Sequence, residues 1–110
     1  MTLTTLAVLA VMLKDPPAHY YGLELCREAA VKPGALYPIL ARLERAGWLR
    51  SAWEQKDPAQ KLGRPRRRYY HLTGKGEKAA SEAVAGERER LFPPKKAGSV
   101  RIGNPRKAFG

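Results

Sequence analysis

Residues 63–73 read Gly63-Arg64-Pro65-Arg66-Arg67-Arg68-Tyr69-Tyr70-His71-Leu72-Thr73. Four guanidinium groups crowd into five positions, with a proline to stiffen them. Arginine offers planar paired donors that match a phosphate, and it enters narrow minor grooves. The chemistry implied is recognition of a polyanion, to which Lys61 adds a further charge. A second cluster, Lys32-Pro33-Gly34-Ala35-Leu36-Tyr37-Pro38, opens a helical run. Small residues at Gly34 and Ala35 allow a close backbone approach, and the free N–H groups of a helix start favour a phosphate. Lys32 and Tyr37 can add phosphate bonds. Arg42 falls on the outward side of the run. It either reaches a base edge or a phosphate, or is a solvated surface charge. Tyr37 is either a contact or a half-buried core aromatic.

No catalytic constellation competes with this reading. His19 and His71 stand alone, without a nucleophile motif, paired metal-ligand spacing or a glycine-rich phosphate loop. An enzyme is not expected, and neither is a metal or cofactor. The single cysteine, Cys26, excludes an intramolecular disulfide and a Cys-based zinc site. Among Leu23, Leu25 and Ala29 it reads as a buried structural thiol suited to a reducing cytoplasm.

The net charge of +11 calls for an anionic partner, and its distribution says more than its size. Residues 1–55 hold six Lys/Arg against five Asp/Glu; residues 56–110 hold fifteen against five. The chain therefore has a nearly neutral packing half and a charged arm and tail. Its apolar start, Leu3–Leu13, lacks a positive flank and a cleavage site before Pro16-Pro17, and is too short to span a bilayer. Secretion and membrane insertion are not expected.

Three helices must position the two clusters. Thr2 caps a first helix that runs to about Lys14, where Asp15-Pro16-Pro17 stops it. A second spans about Tyr21 to Ala30. The third spans roughly Pro33–Ala46, with proline at its first position and Gly47 just past its end. At about 100° per residue, Leu36, Leu40 and Leu43 share one face with Ile39 beside them, opposite Ala35, Pro38, Arg42 and Arg45. Trp48–Glu54 and Arg67–Leu72 then read as two strands around a long polar loop. Alternation puts Arg68, Tyr70 and Leu72 on one face. Thr73 caps a last helix, about Gly74–Leu91, weakened by Gly74, Gly76 and Gly86. The expected fold is mainly α with a small two-stranded β-wing, in the order α-α-α-β-β-α: a winged helix-turn-helix. Residues 1–92 form the domain, and 93–110 a basic, disordered tail.

The first helix is apolar nearly all round, and such a helix must be covered all round. One cover is a second copy of the chain, through Leu3, Leu6, Leu9 and Met12 with Leu91 of the last helix. The other is the chain's own C-terminal segment.

The run Gly34 to Leu49, then Trp53-Glu54, then Gly63 to Thr73 resembles the PadR family of bacterial transcriptional regulators. Tyr21-Gly22-Leu23-Glu24-Leu25 is similar to that family's start of helix two, and the likeness covers about residues 3–80. It implies a homodimeric repressor on double-stranded DNA, resident in the cytoplasm on the nucleoid. Helix three would enter the major groove, with Lys32, Gly34, Ala35, Tyr37, Pro38 and Arg42 as its contacts. The wing would touch the neighbouring backbone through Lys61, Gly63, Arg64, Arg66, Arg67 and Arg68. The first and last helices would make the dimer. The short last helix and the basic tail depart from the pattern. The resemblance implies that a small molecule, often aromatic, can be sensed near the dimer interface, so an unidentified effector stays open. Trp48 and Trp53 are nevertheless read as packing the strand onto the core or lining the wing. The alternative function is a basic RNA-binding or protein-interaction winged-helix module without operator specificity.

Overall fold

The computed structural model describes residues 1–55 and 61–94. Residues 95–110 of the expected basic tail, 93–110, and residues 56–60 of the long loop lie outside them. Helix α1 spans Leu3–Leu13. Its cap is Thr2, whose hydroxyl accepts from the Thr5 N–H at 3.1 Å. A two-residue strand, β1 (Tyr20–Tyr21), leads into α2 (Gly22–Ala29). The recognition-helix candidate, α3, is Pro33–Arg45. Strands β2 (Leu49–Trp53) and β3 (Arg68–Leu72) form the wing, and α4 is Gly74–Leu91.

The sheet is three-stranded and antiparallel, in the order β1-β3-β2. The sequence pattern predicts Tyr21 at the start of the second helix and only two strands. A two-residue strand has no periodicity to read. It exists because Tyr20 and Tyr21 pair with Tyr70 and Tyr69 across the free edge of β3. Tyr21 is also the cap of α2, where its N–H donates to Glu24 Oε1 at 3.0 Å.

The turn between α2 and α3 closes with Val31 N–H donating to the Cys26 carbonyl at 3.0 Å. That closure holds Ala30 in the left-handed region, at φ 56°. A β-carbon is strained there, and glycine is the usual occupant. Ala30→Gly should therefore raise stability by about 0.5–1 kcal/mol, seen as a rise in the thermal unfolding midpoint. The end of α3 follows the rule instead: Gly47 sits at φ 81°, and Trp48 N–H closes onto the Leu43 carbonyl at 2.9 Å.

The core gathers one side of every helix. Leu36, Ile39, Leu40 and Leu43 of α3 are buried together with Leu25, Leu49, Tyr70, Leu72 and Ala80. Burying Leu36 and Leu40 completely contributes about 1.5–3 kcal/mol each. Cys26 packs at the margin of this core as a free thiol. Trp48 is packed against it too, as expected.

Helix α1 corrects the assignment of the contact with a second copy. Leu6, Leu9 and Met12 are buried within the chain itself, as are Val8 and Val11. Helix α4 packs along α1 and supplies much of that cover. Of the five residues assigned to a partner, only Leu3 and Leu91 stay exposed, at 61% and 52%. The self-covering alternative accounts for most of the apolar surface of α1. Beyond Val84, α4 leaves the body: residues 85–92 are exposed except for Glu87, which is half-buried.

Candidate nucleic-acid interface

The leucine face that seats α3 turns its other side outward. Gly34, Ala35, Tyr37, Pro38, Ala41, Arg42 and Arg45 are all exposed. Pro38 sits inside the helix and has no N–H to give the Gly34 carbonyl four residues back, so that carbonyl is left open on the outward face. Tyr37, 44% exposed, lies across the first residue of α2. Gly22 makes room for it, since a β-carbon there would stand 2.9 Å from the Tyr37 ring.

Between Tyr37, the start of α2 and the wing lies a cleft of about 570 Å³. Tyr21, Leu23, Arg27, Trp53 and Tyr70 line it, and so do Arg66, Arg67 and Arg68. Trp53 is half exposed on the wing and works as a platform there. The guanidinium of Arg68 stands 5.3 Å from its ring centre and that of Arg66 at 6.0 Å. Arg68 also donates to Ser51 Oγ from Nε and Nη2, at 3.0 and 2.6 Å. Ser51 in turn donates to Glu44 at 2.7 Å. This network ties β3 to β2 and to the end of α3. The observed alternation on β3 matches the expected one, with Tyr70 and Leu72 inward on the Arg68 face.

The arm is anchored by a carboxylate. Glu54 accepts from Arg64 Nη1 at 2.6 Å and Nη2 at 2.9 Å. It also accepts from the Arg67 main-chain N–H at 3.2 Å and from the Tyr21 hydroxyl at 3.3 Å. The Arg67 side chain closes the set at 3.4 Å, with its guanidinium 3.8 Å from the Tyr21 ring centre. The Arg64 bonds first, then the Arg67 N–H, hold the Glu54 carboxyl down at about 2 despite the cost of its desolvation. What this carboxylate contributes is therefore complete above the ordinary carboxylate range and is lost as pH falls toward about 2.

The expected contacts are sorted by this geometry. Tyr37, Arg66, Arg67 and Arg68 meet at one cleft. Lys61 and Gly63 are exposed on the arm. Arg64 turns inward to Glu54, so its donors are occupied within the wing. Arg42 and Lys32 are exposed but flank the start of α1, away from the cleft: Arg42 beside Thr2 and Thr5, Lys32 beside Leu3 and Thr4. Sequence reasoning missed Glu54, Arg27 and Ser51. Glu54 carried two signals, its place beside a basic arm and in the Trp53-Glu54 pair of the family resemblance, and neither named its role. Arg27 and Ser51 had none.

On the sheet's far face, His19 stacks on Tyr69 at 4.6 Å and stands 5.2 Å from His71. The Nδ1 of His71 is buried and has no hydrogen-bond partner among the described residues. Burial above all, with His19 and Arg50 nearby, pushes His71 below the ordinary imidazole range. The unfolded chain takes that proton near pH 6.5, so stability is full above this value and declines below it until folded His71 is protonated as well. Thermal unfolding compared at about pH 7.5 and about pH 5.5 should show the decline, and His71→Phe should reduce it.

Among the described residues, no group of three or more His, Cys, Asp or Glu is placed to hold a metal ion. No described helix is long and apolar enough to cross a membrane.

A profile of the transcriptional regulator PadR-like family matches residues 8–82. No curated protein matches the chain in sequence. Among solved structures, it is similar to a PadR-like transcription factor from Bacteroides fragilis at 28% identity and a TM-score of 0.61; the match covers 79% of this chain and 82% of that one. A PadR family regulator from Eggerthella lenta DSM 2243 is 25% identical with a TM-score of 0.56, at the same coverage of 79% and 82%. One from Clostridium difficile R20291 shares the fold at 22% identity and a TM-score of 0.63, covering 83% of this chain and 91% of that one. The winged helix agrees with these likenesses, and the chain belongs to the PadR-like family of transcriptional regulators.

Proposed function

We propose that the chain is a homodimeric repressor that reads a two-fold symmetric operator in double-stranded DNA. The observation that carries this reading is the cleft where Tyr37 of α3 faces Arg66 and Arg68 of the wing. A helix seated in the major groove brings a sugar–phosphate strand past its flank. The cleft lies on that flank of α3 and is lined with arginine donors for the strand. Gly34, Pro38, Ala41 and Arg45 then face the groove, and the few polar groups among them read base edges. Lys32 and Arg42, on the opposite flank, reach the other strand. Repression follows if the bound dimer covers promoter DNA.

The exposed start of α1 and the end of α4 support the dimer. Leu3, Leu91 and Phe92 are large apolar side chains left open there. With most of α1 buried at home, the second copy is held chiefly by the overhanging end of α4.

Selection of bound duplexes from a random pool tests the reading. The expected result is one enriched sequence with two-fold symmetry and half-sites about one helical turn apart. Failure to enrich any duplex, or equal binding to structured RNA, would overturn it.

A further inference from the structure

We infer that Glu54 is a positioning residue for DNA binding: its carboxylate clamps the root of the wing so that Arg66 and Arg68 are presented to the cleft. The inference rests on the DNA-binding reading above. Glu54 stands at the foot of the arm, directly after β2. Its side chain is only 11% exposed, so it does not present a charge to a ligand. All of its partners belong to the wing or to the cap of α2: Arg64, the main chain and side chain of Arg67, and Tyr21. The Glu54 N–H also donates to the Arg67 carbonyl at 2.8 Å, which extends the β2–β3 ladder by one pair. The clamp thus takes up Arg64 and Arg67 and sets the direction of the chain between them. Arg66, one step along, is sent to the other side, where it shares the Trp53 platform with Arg68.

The alternative is that Glu54 merely neutralises arginines that would otherwise bind phosphate. The two accounts differ in sign. Glu54→Gln removes a negative charge near a polyanion and frees Arg64 and Arg67. On charge alone, affinity for duplex rises by about twofold or more at moderate salt, where screening is strong. If the clamp positions the arm, the same change lowers affinity by about tenfold and flattens the dependence of log K on log salt by about one contact.

The experiment measures duplex binding against salt for the full-length chain, Glu54→Gln, Arg64→Gln and the double variant. The probe is a generic duplex, so that no operator is needed. Expected are weaker binding and a flatter slope in each single variant, and no further loss in the double, since both break one clamp. Glu54→Gln added to Arg66→Ala/Arg68→Ala should change little, because the groups it positions are gone. A general loss of folding would not produce that pattern, and Arg64→Gln reports on the clamp if Glu54→Gln does not fold. Equal or tighter binding by Glu54→Gln, with the unaltered chain binding normally, would overturn the inference and leave the DNA reading standing. Absence of salt-dependent duplex binding in the unaltered chain would instead remove the DNA reading, and the inference with it.

Discussion

A chain carrying Arg66→Ala and Arg68→Ala should bind every duplex more weakly, by about a hundredfold per bound protomer near physiological salt, taking about tenfold for each charge-assisted phosphate bond. The plot of log K against log salt should flatten by about two contacts per protomer, because each neutralised phosphate contributes a slope of about 0.9. Sequence preference should change little, since phosphate contacts fix register without reading bases. These two arginines are singled out by geometry. Both stand over Trp53 and line the cleft, Arg68 with its Nε and Nη2 bonded to Ser51, while Arg64 is committed to Glu54 and Arg67 is divided between Glu54 and Tyr21. Titration of a labelled duplex at several salt concentrations checks the result. Unchanged affinity and slope would remove the arm from the mechanism.

Gly76→Ala should be severely destabilising, by about 3–5 kcal/mol, which for a domain of this size lowers the unfolding midpoint by more than about 12 °C. Gly76 lies in the first turn of α4, where the helix crosses the main chain at Trp48. A β-carbon there would stand 1.9 Å from the Trp48 carbonyl oxygen. That oxygen cannot swing aside like the end of a side chain. It accepts the Thr73 N–H at 3.0 Å and the Thr73 hydroxyl at 3.3 Å, bonds that launch α4 from β3. The threonine hydroxyl accepts in turn from Gly76 N–H at 2.9 Å. Displacing α4 would also uncover Ala80 and the face of α1 it packs against. Gly86, in the same helix, is the control. Among the described residues nothing lies within 4 Å of its added β-carbon, so Gly86→Ala should stabilise α4 by about 0.5–1 kcal/mol. Thermal unfolding of the two variants side by side should show opposite signs.

The contrast between these glycines marks where reading the sequence stops. Gly74, Gly76 and Gly86 all look like weak points in a helix, and only the crossing at Trp48 makes one of them indispensable. Tyr21 carries the same lesson. It resembled the first residue of a helix, and is at once an edge strand, a cap, and a ring under Arg67.

What the residues determined by themselves was the order of helices and wing strands, the leucine side of α3, the Thr2 and Thr73 caps, the Gly47 stop and a basic arm after β2. Each of these is decided within a turn or two of chain, by side-chain periodicity, by main-chain donors left free at helix ends and by the conformations glycine and proline permit. The tertiary structure alone decided which arginines face the cleft, which faces of α1 are covered at home, and that Tyr20 and Tyr21 extend the sheet. Those outcomes depend on partners far away in sequence, Glu54 with Tyr21, Tyr21 with Tyr69 and α1 with α4. A charge or an apolar side chain does not specify its partner; the packed fold does.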